Sequence, residues 1–212
     1  MADNEPTGDD DDTRRTPDAS QPQPSDDVAG DGNPGDDNAG DDDDTPEGRA
    51  TQLNMYLSDD GDVLDLTGNQ LKDLSGIPLP PTLTDLDLTT NRLAALDPRI
   101  GDLERLEKLS FRQNLITDAA AAGLKDLTRL TSLKELVLRD NLLKKVPCVS
   151  PLTALSLLDL SYNHIHAMAP LTSSALPALR ELYLANNRIG HIEALEGFTQ
   201  LRLLELGSNK IR

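Results

Sequence analysis

The sequence predicts an α/β solenoid of stacked repeats that follows an acidic tail. Two observations carry the solenoid: a leucine frame that occurs seven times, and an asparagine at the same place in each copy. The segment Leu179-Arg-Glu-Leu-Tyr-Leu-Ala-Asn-Asn187 shows the frame, with leucines at fixed spacing ahead of the final asparagine. The corresponding asparagines recur at intervals of 22 to 27 residues, and they are Asn69, Asn91, Asn114, Asn141, Asn163, Asn187 and Asn209.

The period and the leucine frame are typical of leucine-rich repeats. Successive side chains of a strand point to opposite sides, so leucines two residues apart face the same core. Each repeat buries that face against its neighbours, which predicts one continuous leucine core. We therefore expect a curved solenoid, with parallel strands on its concave face and turns or short helices on its convex face.

The repeated asparagine predicts a second stabilising element. A buried side-chain amide is tolerated only when its donors and acceptors are paired. The backbone that turns away from each strand supplies such partners, so we expect the seven asparagines to form a ladder.

Composition divides the chain into three parts. Residues 1–50 carry 15 Asp and 2 Glu against three Arg, which predicts a disordered acidic tail. Residues 51–62 are expected to form an N-terminal cap, and residues 63–212 about seven repeats, the last one incomplete. We interpret the tail as a segment that keeps the protein soluble. The alternative roles are contact with a basic partner and phosphorylation at Thr7, Thr16, Ser25 and Thr45.

One repeat is longer than the others and predicts a helix. The unit between Asn114 and Asn141 contains Asp118 followed by four alanines. Alanine is the best helix former and aspartate favours the N-cap position. We expect a full helix there, capped by Asp118, and we expect the prolines of the repeat domain to fall between strands.

Several classes of protein are disfavoured. The sequence shows no signal peptide or membrane span, and its single cysteine, Cys148, suits a reducing compartment as an ordinary free thiol. The histidines lack the spacing of a metal site; they are His164, His166 and His191. We predict no enzyme activity, no cofactor and no nucleic acid binding, because neither catalytic motifs nor clustered cations occur.

The side chains that leave the leucine core mark the candidate binding face. The residues between the paired leucines are Asp65, Asp87, Ser110, Val137, Asp159, Tyr183 and Glu205. The residues before each pair are Val63, Asp85, Lys108, Glu135, Leu157, Glu181 and Leu203. The last three repeats combine exposed apolar anchors with carboxylates, which is typical of protein-binding hot spots. We predict partner binding by Leu157, Asp159, Tyr183, Leu203 and Glu205; the alternative is that the sheet merely tolerates apolar residues there.

Two segments resemble a known family. Leu133-Lys-Glu-Leu-Val-Leu-Arg-Asp-Asn-Leu-Leu-Lys-Lys-Val146 and Gln200-Leu-Arg-Leu-Leu-Glu-Leu-Gly-Ser-Asn-Lys-Ile-Arg212 are similar to the leucine-rich-repeat regulatory subunit of protein phosphatase 1 (regulatory subunit 7 family). The resemblance implies a non-catalytic regulator that docks the phosphatase catalytic subunit on its concave face, in nucleus and cytoplasm. It also implies contacts at Asp159, Tyr183 and Glu205.

The resemblance leaves alternatives open. The family has more repeats and a C-terminal cap, so we expect this chain to be C-terminally truncated, and monomeric unless its open end self-associates. A second interpretation is a repeat scaffold of the cilium or cytoskeleton that binds an unrelated protein. A third, based on the tail, is an acidic histone-binding or chaperone-like protein.

Overall fold

The computed structural model describes residue 53 and residues 55–212. The predicted disordered tail, residues 1–50, lies outside the described residues. Within the described part, strands form one eight-stranded sheet in which every strand lies next to its neighbour in sequence. The strands are β1 (Tyr56–Leu57), β2 (Val63–Asp65), β3 (Asp85–Asp87), β4 (Lys108–Ser110), β5 (Glu135–Val137), β6 (Leu157–Asp159), β7 (Glu181–Tyr183) and β8 (Leu203–Glu205).

The seven repeat strands, β2 to β8, are parallel and share one register. The middle residue of each strand is a leucine of the frame, and from β2 to β7 it is almost completely buried. Phe111 replaces a leucine in the third repeat and is also fully buried. The parallel solenoid predicted from the frame is therefore confirmed.

The strand β1 pairs antiparallel with β2 and covers the backbone edge of the first repeat. The hydroxyl of Ser58 organises the turn between the two strands: it accepts from the backbone N–H groups of Asp62 and Val63, at 3.1 and 3.0 Å. The side chains of Tyr56 and Leu57 are exposed. This segment of the predicted cap, residues 51–62, thus satisfies the sheet edge with its backbone.

The longest repeat departs from the prediction of a full helix capped by Asp118. An α-helix, α1 (Asp118–Ala121), continues as a 3₁₀ turn over Ala122–Asp126. Thr117 is the N-cap, and its hydroxyl accepts from the N–H of Ala120 at 3.5 Å. A glycine follows within two residues, which is unfavourable inside a helix, so one α-helical turn forms.

Asp118 is the first residue of α1 and connects two repeats. Its Oδ1 accepts from the backbone N–H groups of Lys144 and Lys145, at 2.8 and 3.2 Å. The prediction that Asp118 caps the helix was wrong, because Thr117 occupies the N-cap position and the carboxylate of Asp118 accepts from the next repeat instead. The only other helical segment of the described residues is a 3₁₀ turn, Pro98–Asp102.

None of the helices in the described residues has the length and apolar character required to cross a bilayer.

Candidate protein-binding face

The first and third residues of each repeat strand project from the side of the sheet opposite the leucine core. We call this surface the open face. It is half-buried to exposed along its length, whereas the residue between each pair faces the core. The strand register places equivalent residues side by side, so the open face consists of two rows.

All five predicted binding residues lie on the open face of three adjacent strands. Register pairs join Asp159 to Tyr183 and Tyr183 to Glu205. In the other row Glu181 lies between Leu157 and Leu203. The two leucines therefore flank a carboxylate and do not form one continuous apolar patch.

The hydroxyl of Tyr183 donates to Oε2 of Glu181 at 2.8 Å, and this bond favours one orientation of the ring. That hydrogen bond is the main reason why the pKa of Tyr183 is raised, and the nearby charges of Asp159 and Glu205 add to it. Our sequence reasoning did not select Glu181, although residues two apart on one strand face are the signal that would have found it.

Asp159 has a structural partner within its own repeat. Its Oδ1 accepts from the backbone N–H of Ser161 at 2.9 Å. Asp65 and Asp87 make the same bond to Thr67 and Thr89, at 2.8 and 2.9 Å. The recurrent pattern Asp-Leu-Ser/Thr is the sequence signal of this brace, which sequence reasoning missed. Any binding role of Asp159 is therefore combined with a role in the turn.

The open face of the first four repeats contains four carboxylates and one lysine. A hollow of about 290 Å³ lies beside the small side chain of Ser110, between Asp87 and Glu135. Lys108 bridges to Glu135 at 3.5 Å. The pKa of Asp85 is raised, chiefly because burial removes water from its carboxyl group, and Lys108 opposes that shift.

The frame asparagines connect adjacent repeats. Asn141 donates from Nδ2 to the carbonyls of Phe111 and Leu138, at 2.8 and 3.1 Å, and its Oδ1 accepts from the N–H of Ile116 at 2.9 Å. The same three contacts recur at Asn91, Asn114, Asn163, Asn187 and Asn209. Asn69, in the first repeat, donates to Leu66 O at 2.8 Å.

The residue that precedes each asparagine adopts a left-handed backbone conformation, with φ between 53° and 75°. These residues are Gly68, Thr90, Gln113, Asp140, Tyr162, Asn186 and Ser208. In the first six the backbone N–H donates to a carbonyl of the following repeat, as from Asp140 to Ser161 at 2.9 Å. Six of the seven are not glycine, so composition did not reveal this turn.

The remaining candidates lie apart from the open face. Cys148 is exposed, and its contact with the Ser150 hydroxyl lowers the pKa of the thiol. His166 and His191 are exposed and His164 is half-buried. In the part of the chain that the structure describes, no three side chains of the metal-binding types form a cluster.

A family model described as leucine rich repeat matches residues 153–211. Together with the parallel register of the strands, this match decides the fold. The chain carries leucine-rich repeats. Its repeats also align with a crystal structure of a TLR13–ssRNA13 complex, with a TM-score of 0.63 and 25% identity over 74% of this chain and 23% of that one.

Three curated proteins illustrate the range of relatives. A protein phosphatase 1 regulatory inhibitor subunit, the PPP1R7 homolog of Arabidopsis thaliana, is 49% identical over 119 residues, which are 56% of this chain and 36% of that protein. The U2 small nuclear ribonucleoprotein A' of Mycosarcoma maydis is 39% identical over 61 residues, 28% of this chain and 25% of that protein. The geranylgeranyl transferase type-2 subunit alpha of Bos taurus is 36% identical over 107 residues, 44% of this chain and 18% of that protein.

The first of these relatives confirms the resemblance that the sequence motifs indicated. The chain spans about a third or less of the length of the curated proteins it matches. Their three names differ, so the leucine frame alone does not identify a partner.

Proposed function

We propose that this chain is a non-catalytic regulatory protein that docks the catalytic subunit of protein phosphatase 1 on the open face of its repeats. The observation that carries the proposal is the 49% identity over 119 residues to a regulatory inhibitor subunit of that phosphatase. The sequence predicts the open face to be concave, and it predicts residence in nucleus and cytoplasm.

The open face of the last three repeats supports the proposal by its chemistry. Tyr183 is half-buried, and its hydrogen bond to Glu181 favours one orientation of the ring. Leu157 and Leu203 offer apolar surface on the strands to either side. Oriented aromatic residues with apolar neighbours are the usual anchors of protein interfaces, because little side-chain freedom is lost on binding.

Charge along the same face indicates the kind of surface that would dock there. The two rows contain seven carboxylates and one lysine, Lys108. Asp85 is half-buried, and the cost of burying its charged carboxyl group is the main reason why its pKa is raised. A partner surface with basic side chains would relieve that cost and speed association.

The test is calorimetric binding of the full chain to a protein phosphatase 1 catalytic subunit, with Tyr183→Ala compared with Tyr162→Ala. Tyr183 belongs to the open face, whereas Tyr162 lies in the turn after the strand. Removal of a central aromatic anchor should weaken binding by about tenfold or more. The Tyr162→Ala variant should bind as the parent does.

Two further variants test whether the carboxylates of Glu205 and Asp159 contact the partner. Glu205→Ala removes an exposed charge, and Asp159→Asn removes a charge but keeps an oxygen that accepts from the Ser161 N–H. Weaker binding in both, with unchanged melting curves, would support the predicted contacts. Equal loss in Tyr183→Ala and Tyr162→Ala would contradict docking on the open face. No binding by the parent chain would favour the alternative of a scaffold for an unrelated protein.

A further inference from the structure

A second surface of the repeats has the opposite charge. We define the turn edge as the four residues of each repeat that run from two positions before the frame asparagine to one position after it. In the fourth repeat these are residues 139–142. The charged residues of the turn edge are Arg92, Arg112, Arg139, Asp140, Arg188 and Lys210. Five of these six are cations, whereas carboxylates dominate the open face. The two surfaces therefore attract different partners.

Backbone hydrogen bonds make the turn edge continuous from repeat to repeat. The N–H of Gln113 donates to the carbonyl of Arg139 at 2.9 Å, and the N–H of Asp140 donates to the carbonyl of Ser161 at 2.9 Å. The left-handed residue of each turn is thus attached to the next turn. These bonds set the spacing of the backbone along the edge.

The middle of the turn edge exposes apolar side chains in three consecutive repeats. Leu115, Leu142 and Tyr162 are 44%, 41% and 45% exposed, respectively. Leu115 and Leu142 follow their frame asparagines, where the first two repeats have Gln70 and Arg92, whereas Tyr162 precedes its asparagine. Apolar side chains exposed at equivalent positions of adjacent repeats, as Leu115 and Leu142 are, can form a contact surface.

An aromatic contact orients one of the cations beside this apolar surface. The guanidinium carbon of Arg139 lies 4.3 Å from the ring centroid of Tyr162. Such cation–π contacts restrict an arginine while leaving its N–H donors free for a carboxylate. Arg112, in the neighbouring repeat, is exposed and adds a second cation.

We propose that the turn edge of the third to fifth repeats binds an acidic protein segment that carries leucine or phenylalanine side chains. Its carboxylates pair with Arg112 and Arg139, and its apolar side chains cover Leu115, Leu142 and Tyr162. Charge complementarity identifies the occupant, since a basic segment would prefer the open face. A nucleic acid fits less well, because backbone phosphates call for a longer row of cations and gain little from exposed leucines.

This inference goes beyond the docking of a phosphatase, because the turn edge is a second surface with its own charge. The two surfaces adjoin at Arg112, which also lines the hollow between Asp87 and Glu135. A protein that uses both can hold a basic partner on one surface and an acidic partner on the other at the same time.

The test is fluorescence anisotropy with the full chain and a fluorescein-labelled synthetic peptide of glutamates that contains two leucines and one phenylalanine. The comparison peptide has the same charge, with serines in place of the three apolar residues. We expect the apolar peptide to bind about tenfold more tightly than the serine peptide. Equal binding of the two peptides, or no binding of either, overturns the proposal.

Matched variants locate the site. Leu142→Ser and Arg112→Glu change exposed side chains of the turn edge, while Arg105→Glu makes the same charge change at an exposed residue that precedes β4. The first two should weaken binding by about tenfold, and Arg105→Glu by less than about twofold. Equal weakening by Arg112→Glu and Arg105→Glu would show general electrostatic attraction and overturn the site. Equal competition by a single-stranded oligonucleotide of the same charge would show a nucleic acid surface and overturn the occupant.

Discussion

The same leucine frame has different surroundings in the interior of the solenoid and in its last repeat. In the interior, Leu136 is completely buried and Asn141 is only 4% exposed. In the last repeat the equivalent residues, Leu204 and Asn209, are half-buried. Both repeats have leucine and asparagine at these positions, so the difference in burial comes from the packing of adjacent repeats. A frame residue stabilises the fold fully only when a repeat packs on both of its sides.

The largest effect that tests this comparison is the loss of a core leucine. We expect Leu136→Ala to reduce the free energy of unfolding by about 3–4 kcal/mol, because it leaves a cavity between two repeats. Leu204→Ala should cost about 1–2 kcal/mol, because its site is open to water. Urea unfolding of the full chain measures both. Equal losses would mean that the last repeat packs as tightly as the interior ones.

A smaller effect separates an interior asparagine of the ladder from the last one. Asn141→Ala should destabilise by about 1–3 kcal/mol, since two carbonyls and the N–H of Ile116 lose their partner away from water. The equivalent hydrogen bonds of Asn209 are only partly buried and solvent can replace them, so Asn209→Ala should cost less than about 1 kcal/mol. Thermal melts beside the urea data give the ranking, and the comparison breaks down if Asn209→Ala is the more harmful change.

The smallest effect tests the turn geometry, apart from any packing. Gly68 has φ of +75° and no heavy atom within 4 Å of a Cβ built there, so Gly68→Ala tests backbone strain alone. We expect a loss of about 1 kcal/mol. Gly123 is equally uncrowded but lies in the 3₁₀ turn after α1, so Gly123→Ala should be neutral or stabilising by up to about 1 kcal/mol. The same sign of change in both variants would refute the role of the left-handed turn.

The fold could be predicted from the sequence because the leucines and the asparagine of the frame recur at nearly regular intervals. Alternation of side chains along a strand placed Leu136 in the core and Tyr183 on the open face, and the spacing of the asparagines set the register. The structure places the predicted site residues on three adjacent strands for the same reason. Their role in binding stays a prediction.

The features that sequence reasoning missed depend on local backbone geometry. Tyr162 and Thr90 occupy left-handed positions where glycine would be expected, and the hydrogen bonds of the turn hold them there. The brace from Asp159 to Ser161 and the contact of Tyr183 with Glu181 each join residues two apart. These residue pairs are visible in the sequence, but their hydrogen bonds can be predicted only once the ends of the strands are known.

The asparagine contacts also make certain backbone amides sensitive to the stability of each junction between repeats. The backbone amide two residues after each asparagine of one repeat donates to the asparagine of the next, and these amides belong to Leu71, Leu93, Ile116, Leu143, Ile165 and Ile189. The hydrogen bond protects each amide from exchange with solvent until its junction between repeats opens, locally or in global unfolding. Native-state hydrogen exchange at these six positions therefore resolves the stability of the solenoid one junction at a time.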